Sequence, residues 1–322
     1  MTQSMLTVVV KKKTTVAQGI CAIELVDPAH NNLPIFTAGS HIDVHISDGL
    51  VRQYSLCNSP EERHRYLLGI LRDERSRGGS QAIHDRVREG DLITISKPKN
   101  LFALAENTSK ALLFAGGIGI TPILSMAEQL ALSRTDFEMH YCTRSRNRTA
   151  FLDRISNSDF SHQVHCHFDD ESPEQYIDLE HTLRSPQPGV HVYVCGPKPF
   201  IDAVMNTAKR QGWDAANLHT EYFSAEIAAG SSADAGFEIQ IASTGKIYAV
   251  AANETIVTAL GKHGIAIATS CEQGICGTCL TTVVDGIPDH RDQFLTEQER
   301  CANNQVIACC SRAKSKLLVL DL

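Results

Sequence analysis

"SCEQGICGTCL", residues 270–280, sets Cys271, Cys276 and Cys279 at the spacing C-x4-C-x2-C, and Cys309 follows after a gap of 29 residues. This is the arrangement of plant-type [2Fe–2S] centres. Two irons with bridging sulfides need four soft thiolate ligands. Three come from one loop wrapped around the cluster, the fourth from a distant segment. Gly274 and Gly277 let that loop fold tightly and aim N–H groups at the sulfurs. Structural zinc favours two separate short Cys pairs. Cys276 and Cys279 alone would suit a thiol redox pair, and unrelated core cysteines would not reproduce the threefold spacing. Cys309 and Cys310 are adjacent, and spacing does not choose between them as the fourth ligand.

The rest of the chain has to explain why such a loop lies so near the end of 322 residues, a length that suggests two or three domains. Charged residues make up 21%, as in a soluble globular protein. The net charge of −7 argues against nucleic acid as the main partner, because duplex binding needs a basic face. No apolar run reaches the roughly 18 residues of a membrane span. In MTQSMLTVVVKKKTT the apolar stretch precedes the lysines, the wrong order for a secretory signal. The expected location is therefore the cytoplasm, where thiols stay reduced. Eleven cysteines, an odd number, exclude a fully paired disulfide framework. Cys21, Cys57, Cys142, Cys166 and Cys301 read as small buried hydrophobes.

The first hundred residues read as strands. "HIDVHI" (41–46) and "DLITIS" (91–96) alternate with period two, and turn signals lie at Asp48-Gly49 and Glu89-Gly90-Asp91. One helix is expected at 80–88, with Ser80 as its N-cap. Several strands and one helix suggest a small antiparallel barrel. From about 108 the texture becomes α/β: "KALLFAG" (110–116), a helical segment from Gly117, the strands "FEMHYCT" (137–143) and "HVYVCGP" (191–197), then a helix from Lys198. This predicts a parallel sheet. Residues 226–236, rich in Ala, Gly and Ser, read as a linker. Two strands, a short helix, the cysteine loop and a closing strand, "SKLLVLDL", follow.

Two further sites emerge upstream. "RQYSL" (52–56) offers a cation, a ring and a hydroxyl to one flat ligand through Arg52, Tyr54 and Ser55. In "RGGS" (77–80), Gly78, Gly79 and Ser80 open a helix whose free N–H groups suit a phosphate, although a glycine turn with a serine cap would look the same. "AGGIGITP" (115–122) joins a strand to a helix, so Gly116, Gly117 and Gly119 would admit a nucleotide diphosphate without matching G-x-G-x-x-G. "VCGP" (194–197) ends the next strand, and ligands of open α/β sheets bind at the carboxyl ends of strands. Both motifs should share one rim.

The order R-x-Y-S, G-G-S, G-G-I-G-I-T-P, C-G-P and a C-terminal C-x4-C-x2-C closely resembles the phthalate dioxygenase reductase family over nearly the whole chain, as do "DHRDQFLTEQER" and "CCSRAKSKLLVLDL". The resemblance implies an FMN-binding antiparallel β-barrel (1–107), an α/β nicotinamide-nucleotide domain with a parallel sheet (108–225), the linker, and an α+β plant-type ferredoxin domain (237–322). It implies an NAD(P)H-dependent iron–sulfur flavoprotein oxidoreductase. Arg52, Tyr54 and Ser55 would hold the isoalloxazine, with Ser55 near N5, and Gly78, Gly79 and Ser80 the FMN phosphate. Gly117 and Thr121 would line the nicotinamide side, and Cys195, Gly196 and Pro197 would face the hydride. Phe223 would lie over the flavin. The family ends Cys, one residue, Ser, Arg, which makes Cys309 the ligand and leaves Cys310 free. NADH is expected, with NADPH as the alternative because Arg144, Arg146 and Arg148 follow the second strand of the nucleotide domain. Electrons would leave for a terminal oxygenase of the Rieske type. The rival readings are an FAD-dependent, ferredoxin-fused reductase for another acceptor, and a redox carrier or sensor without dehydrogenase activity.

Overall fold

The computed structural model describes residues 5–47, 50–74, 78–223 and 235–322. The turn at Asp48-Gly49, Arg77 and linker residues 226–234 lie outside the described residues. The chain divides into two compact units, Met1–Glu221 and Tyr222–Leu322.

The first unit holds two sheets. Strands β1 (Leu6–Ala17), β2 (Ile20–Val26), β3 (Ser40–Ser47), β4 (Leu50–Ser55), β5 (Tyr66–Leu71) and β6 (Leu92–Ile95) form an all-antiparallel sheet in the order β4-β3-β6-β1-β2-β5. The short β7 (Lys99–Asn100) pairs with β3. A bridge between Leu56 and Leu68 joins the two ends, so the sheet closes into a barrel. Alternation supplies its core: Val8, Val10, Ile23, Leu25, Ile42, Val44, Leu68, Ile70, Ile93 and Ile95 all point inward. The polar positions of "HIDVHI" are also covered. Asp43 is buried and accepts from Gln53 and Lys99, each at 2.9 Å.

The barrel's helix α1 runs Gly79–Arg86, and the expected Ser80 cap is corrected. Gly78 is the cap, in the left-handed region at φ 92°, which admits the chain to the helix one residue earlier. The Ser80 hydroxyl instead accepts from the Asp73 N–H at 3.2 Å. At the other end, the Lys13 ammonium donates to the carbonyls of Ile83, His84 and Val87 at 2.8–2.9 Å. Three donors thus meet three carbonyls where the helix dipole favours a cation.

The second sheet is parallel. Its strands are β8 (Lys110–Gly116), β9 (Asp136–Thr143), β10 (Val164–Phe168), β11 (Val190–Cys195) and β12 (Leu218–Glu221), in the order β10-β9-β8-β11-β12. Its helices are α2 (Ile120–Ser133), two short turns, α3 (Leu152–Ser156) and α4 (Leu179–Thr182), and α5 (Lys198–Arg210). The apolar run of β8 is buried from Ala111 through Gly116, as a strand covered on both faces requires. Strand order reverses between β8 and β11, so the crevice of this doubly wound sheet opens at their carboxyl ends.

The second unit has a mixed sheet, ordered β14-β13-β19-β15-β17, from β13 (Phe237–Ile241), β14 (Ile247–Val250), β15 (Leu280–Asp285), β17 (Gln305–Ile307) and β19 (Leu317–Leu320). A small pair, β16 (Pro288–Asp289) and β18 (Arg312–Ala313), and helices α6 (Ile256–Gly261) and α7 (Glu297–Ala302) complete it. Its core is separate from that of the barrel. Cys21 and Cys57 are buried as expected. Cys142 and Cys166 are only half-buried, and Cys301 is exposed on α7, because the strand and helix faces that carry them are incompletely covered.

Candidate functional site

At the switch point the two rim motifs meet backbone to backbone. A methyl group on Gly196 would lie 2.9 Å from the Gly116 Cα, and one on Gly119 only 2.2 Å from the Cys195 carbonyl oxygen. Glycine at these positions lets two strand–helix turns pack without an intervening side chain. Gly117 has φ 54° and open space beside it, so its backbone is the accessible part of the rim. Thr121, in the first turn of α2, is buried and donates to the Ile118 carbonyl at 3.1 Å. Its methyl and the Phe151 ring fill the space against Gly69 of β5, so the barrel docks directly on this turn. The Ser125 hydroxyl adds a bond to the Asn58 carbonyl at 3.0 Å.

That docking brings Ser55, at the end of β4, to the end of β12. The Ser55 hydroxyl donates to the Glu221 carboxylate at 3.4 Å. Glu221 pairs in register with Cys195, which itself pairs with Ala115 of β8. A hydroxyl, a carboxyl and a fully buried thiol therefore gather where the crevice opens. Burial pushes the Glu221 carboxyl up to about 8, against the pull of the Ser55 bond. Burial, with the Glu221 carboxylate beside it, pushes the Cys195 thiol well up. Both are thus uncharged at neutral pH, a setting suited to a flat, redox-active ring rather than to thiolate chemistry.

Sequence reasoning missed Glu221. Its available signal was an acidic residue at the carboxyl end of the last parallel strand, "LHTE", immediately before the aromatic pair Tyr222 and Phe223. Phe223 is half-buried and belongs to the second unit.

Arg52 and Tyr54 alternate with Ser55 along β4. The Arg52 side chain lies over Gly79, where an added methyl would come within 2.5 Å of its Cγ. The guanidinium therefore sits by the N-terminus of α1, whose first-turn N–H groups have no side-chain cap. Gly78 beside it faces open space. A cation, N–H groups that take no side-chain cap among the described residues, and a bare glycine form a cradle that fits a phosphate. Tyr54 packs against the barrel core, and burial raises its hydroxyl, which stays neutral. Arg144 and Arg148 are exposed beyond β9. Arg146 stacks on Phe168 at 4.5 Å and pairs with Glu171 at 3.7 Å.

In the second unit the cysteine loop turns through three left-handed residues, Glu272, Gly274 and Gly277. The Cys271 sulfur meets those of Cys276 and Cys309, and the Cys309 sulfur also meets that of Cys279. Donors converge on the same sulfurs. The Gln273 N–H points at Cys271 at 3.3 Å and the Cys309 N–H at Cys279 at 3.4 Å, while the Cys276 thiol donates to the Thr278 hydroxyl at 3.2 Å. Four gathered sulfurs with N–H donors fit a [2Fe–2S] cluster. Of the adjacent pair, Cys309 is the residue that touches Cys271 and Cys279.

The loop is braced from outside by the segment 289–295. The Gln293 N–H donates to the Gly274 carbonyl at 2.9 Å, and the Phe294 ring fills the space over Gly277. The fully buried Asp292 accepts from the N–H groups of Phe294 (3.1 Å) and Leu295 (2.8 Å) and from the Ser311 hydroxyl (3.4 Å). "DHRDQF" and "CCSR" are thus two halves of one support. Arg312, also buried, donates to the carbonyls of Ala235, Ala251 and Glu254 and lies over the Phe237 ring.

Comparison with known proteins agrees with this geometry. Residues 239–314 match the 2Fe-2S iron-sulfur cluster binding domain, and residues 94–218 match the N-terminal domain of dimethylamine monooxygenase subunit DmmA-like proteins. The chain is 53% identical to a vanillate O-demethylase oxidoreductase of Pseudomonas putida, over 99% of this chain and 100% of the relative. It is 40% identical to a carnitine monooxygenase reductase subunit of Escherichia coli, over 90% of each. A solved phthalate dioxygenase reductase, described as a modular structure for electron transfer from pyridine nucleotides to [2Fe-2S], superposes with a TM-score of 0.80 at 36% identity, covering 99% of this chain and 98% of that one. The chain therefore belongs to the phthalate dioxygenase reductase family and is an oxidoreductase that transfers electrons for an oxygenase.

Proposed function

We propose that the protein takes a hydride from NADH at the crevice of its first unit, holds FMN in the barrel, and delivers single electrons through a [2Fe–2S] cluster to a Rieske-type oxygenase. The convergence of Cys271, Cys276, Cys279 and Cys309, with N–H groups aimed at their sulfurs, carries this reading. FMN and the cluster supply the change from a two-electron donor to one-electron steps.

The chain's own residues position and insulate. Arg52 and the uncapped start of α1 at Gly78 and Gly79 bind the phosphate, with Ser80 in the same turn. This short cradle suits a flavin mononucleotide, and a flavin with a second nucleotide half is the alternative. Tyr54 and Ser55 face the ring system. Ser55 and Glu221 offer a hydroxyl and a neutral carboxyl beside N5. Gly116, Gly117, Gly119 and Thr121 let the dinucleotide lie close to the rim, and Cys195, Gly196 and Pro197 exclude water from the hydride's path. Glu171 partly neutralises Arg146, which favours NADH over a 2′-phosphorylated dinucleotide. The cysteines outside the proposed cluster ligands, all free thiols, suit a reducing compartment such as the cytoplasm.

The test is reconstitution. The purified protein with NADH should drive turnover of a Rieske oxygenase encoded beside it, with kcat/KM higher for NADH than for NADPH, and the released flavin should weigh as FMN. Higher kcat/KM for NADPH, or FAD as the released flavin, would overturn the corresponding assignment.

A further inference from the structure

We propose that Cys310 is a second thiol of the cluster site, able to replace Cys309 as the iron ligand. The inference rests on the assignment of Cys309 as the fourth ligand and goes beyond it. Neighbouring residues in extended chain point to opposite faces, which would put these two sulfurs apart. Here the chain turns: the N–H groups of Cys310 and Ser311 both bond to the Ile307 carbonyl, at 3.3 and 3.0 Å. The turn carries both side chains into the same buried region, each 4% exposed, and their sulfurs meet. The Cys310 sulfur also packs against the cysteine loop itself. A methyl group on Gly274 would lie 2.4 Å from it, so the bare glycine is what leaves it room. Its other polar neighbours, the Ile307 carbonyl and the Ser311 hydroxyl, are both 3.8 Å away, long contacts that hold it weakly. Five sulfurs thus share a site whose cluster requires four.

The exchange is balanced. The iron–sulfur bond to Cys309 breaks as one to Cys310 forms; Cys310 releases its proton and the freed Cys309 sulfur takes one up. Neither iron nor sulfur changes oxidation state.

The test uses the full chain with Cys309→Ala, Cys310→Ala and both together, loaded anaerobically with iron and sulfide. Iron and sulfide content, visible circular dichroism and the electron paramagnetic resonance signal after dithionite are read. Cys310→Ala should keep the native spectrum. Cys309→Ala should keep most of its iron with shifted g-values, and the double variant should lose the cluster. A Cys309→Ala protein as empty as the double variant would overturn the proposal while leaving Cys309 as the ligand. An empty Cys310→Ala beside a native-like Cys309→Ala would instead overturn the assignment of Cys309. Comparing Cys309→Ser with Cys309→Ser/Cys310→Ala repeats the question in a background of nearly unchanged side-chain volume. Cluster loss in the double variant alone supports the exchange, and equal contents overturn it.

Discussion

Glu221 shows how one side chain is given its role by its neighbours. Its carboxyl titrates near 8 because burial disfavours the charged form, against an ordinary value of 4.5 in the unfolded chain. The folded state therefore binds this proton more tightly. Its stabilising contribution is full below pH 4.5, declines as the pH rises toward 8, and is absent above. Glu221→Gln fixes the neutral form. Between pH 5 and 9 the wild type should lose on the order of 2 kcal/mol relative to the variant, after discounting for solvent near the carboxyl. Unfolding followed at each pH checks this, and parallel profiles would mean the carboxyl is not neutral at pH 7. Gly119 makes a steric case at the same scale. Gly119→Ala should cost about 3 kcal/mol or more, because its methyl meets the Cys195 backbone rather than a movable side chain.

At the scale of elements, helix α1 depends on a strand far from it in sequence. Lys13 of β1 satisfies three carbonyls at the helix's end, while Gly78 caps its start without a side-chain hydrogen bond. Lys13→Met should cost about 1–2 kcal/mol. It should also make flavin easier to strip on gel filtration, although Lys13 is at the opposite end of the helix from the cradle. The support beneath the cysteine loop behaves likewise. Asp292→Ala leaves the N–H groups of Phe294 and Leu295 and the Ser311 hydroxyl without their acceptor, at a cost of about 2–4 kcal/mol. Cluster absorbance should bleach faster in the presence of chelator, with flavin content unchanged. These supports were only partly legible in the sequence. The C-x4-C-x2-C loop and the glycine motifs declare themselves because their chemistry demands fixed spacing. Lys13 and Asp292 do not, since each acquires its function from partners brought to it by folding. Ser80 was misread for a related reason: a serine after two glycines looks like a cap, yet left-handed Gly78 takes that position.

At the scale of the whole molecule, the chain forms two units with separate cores. The antiparallel and α/β textures were readable from hydrophobic periodicity, because each sheet is built from local strand patterns, and the α+β ferredoxin fold followed from the family resemblance. Barrel closure through Leu56 and Leu68 and the meeting of Ser55 with Glu221 were not, because both join residues from separate segments. On the proposed function, hydride acceptance and single-electron delivery belong to different units. Rapid mixing of the Cys276→Ser protein with NADH tests it most directly. Flavin absorbance should bleach at close to the wild-type rate, while reduction of cytochrome c or of the oxygenase is lost. Loss of flavin bleaching in a variant that remains folded, or electron delivery at the wild-type rate, would mean that the two steps are not divided between the units.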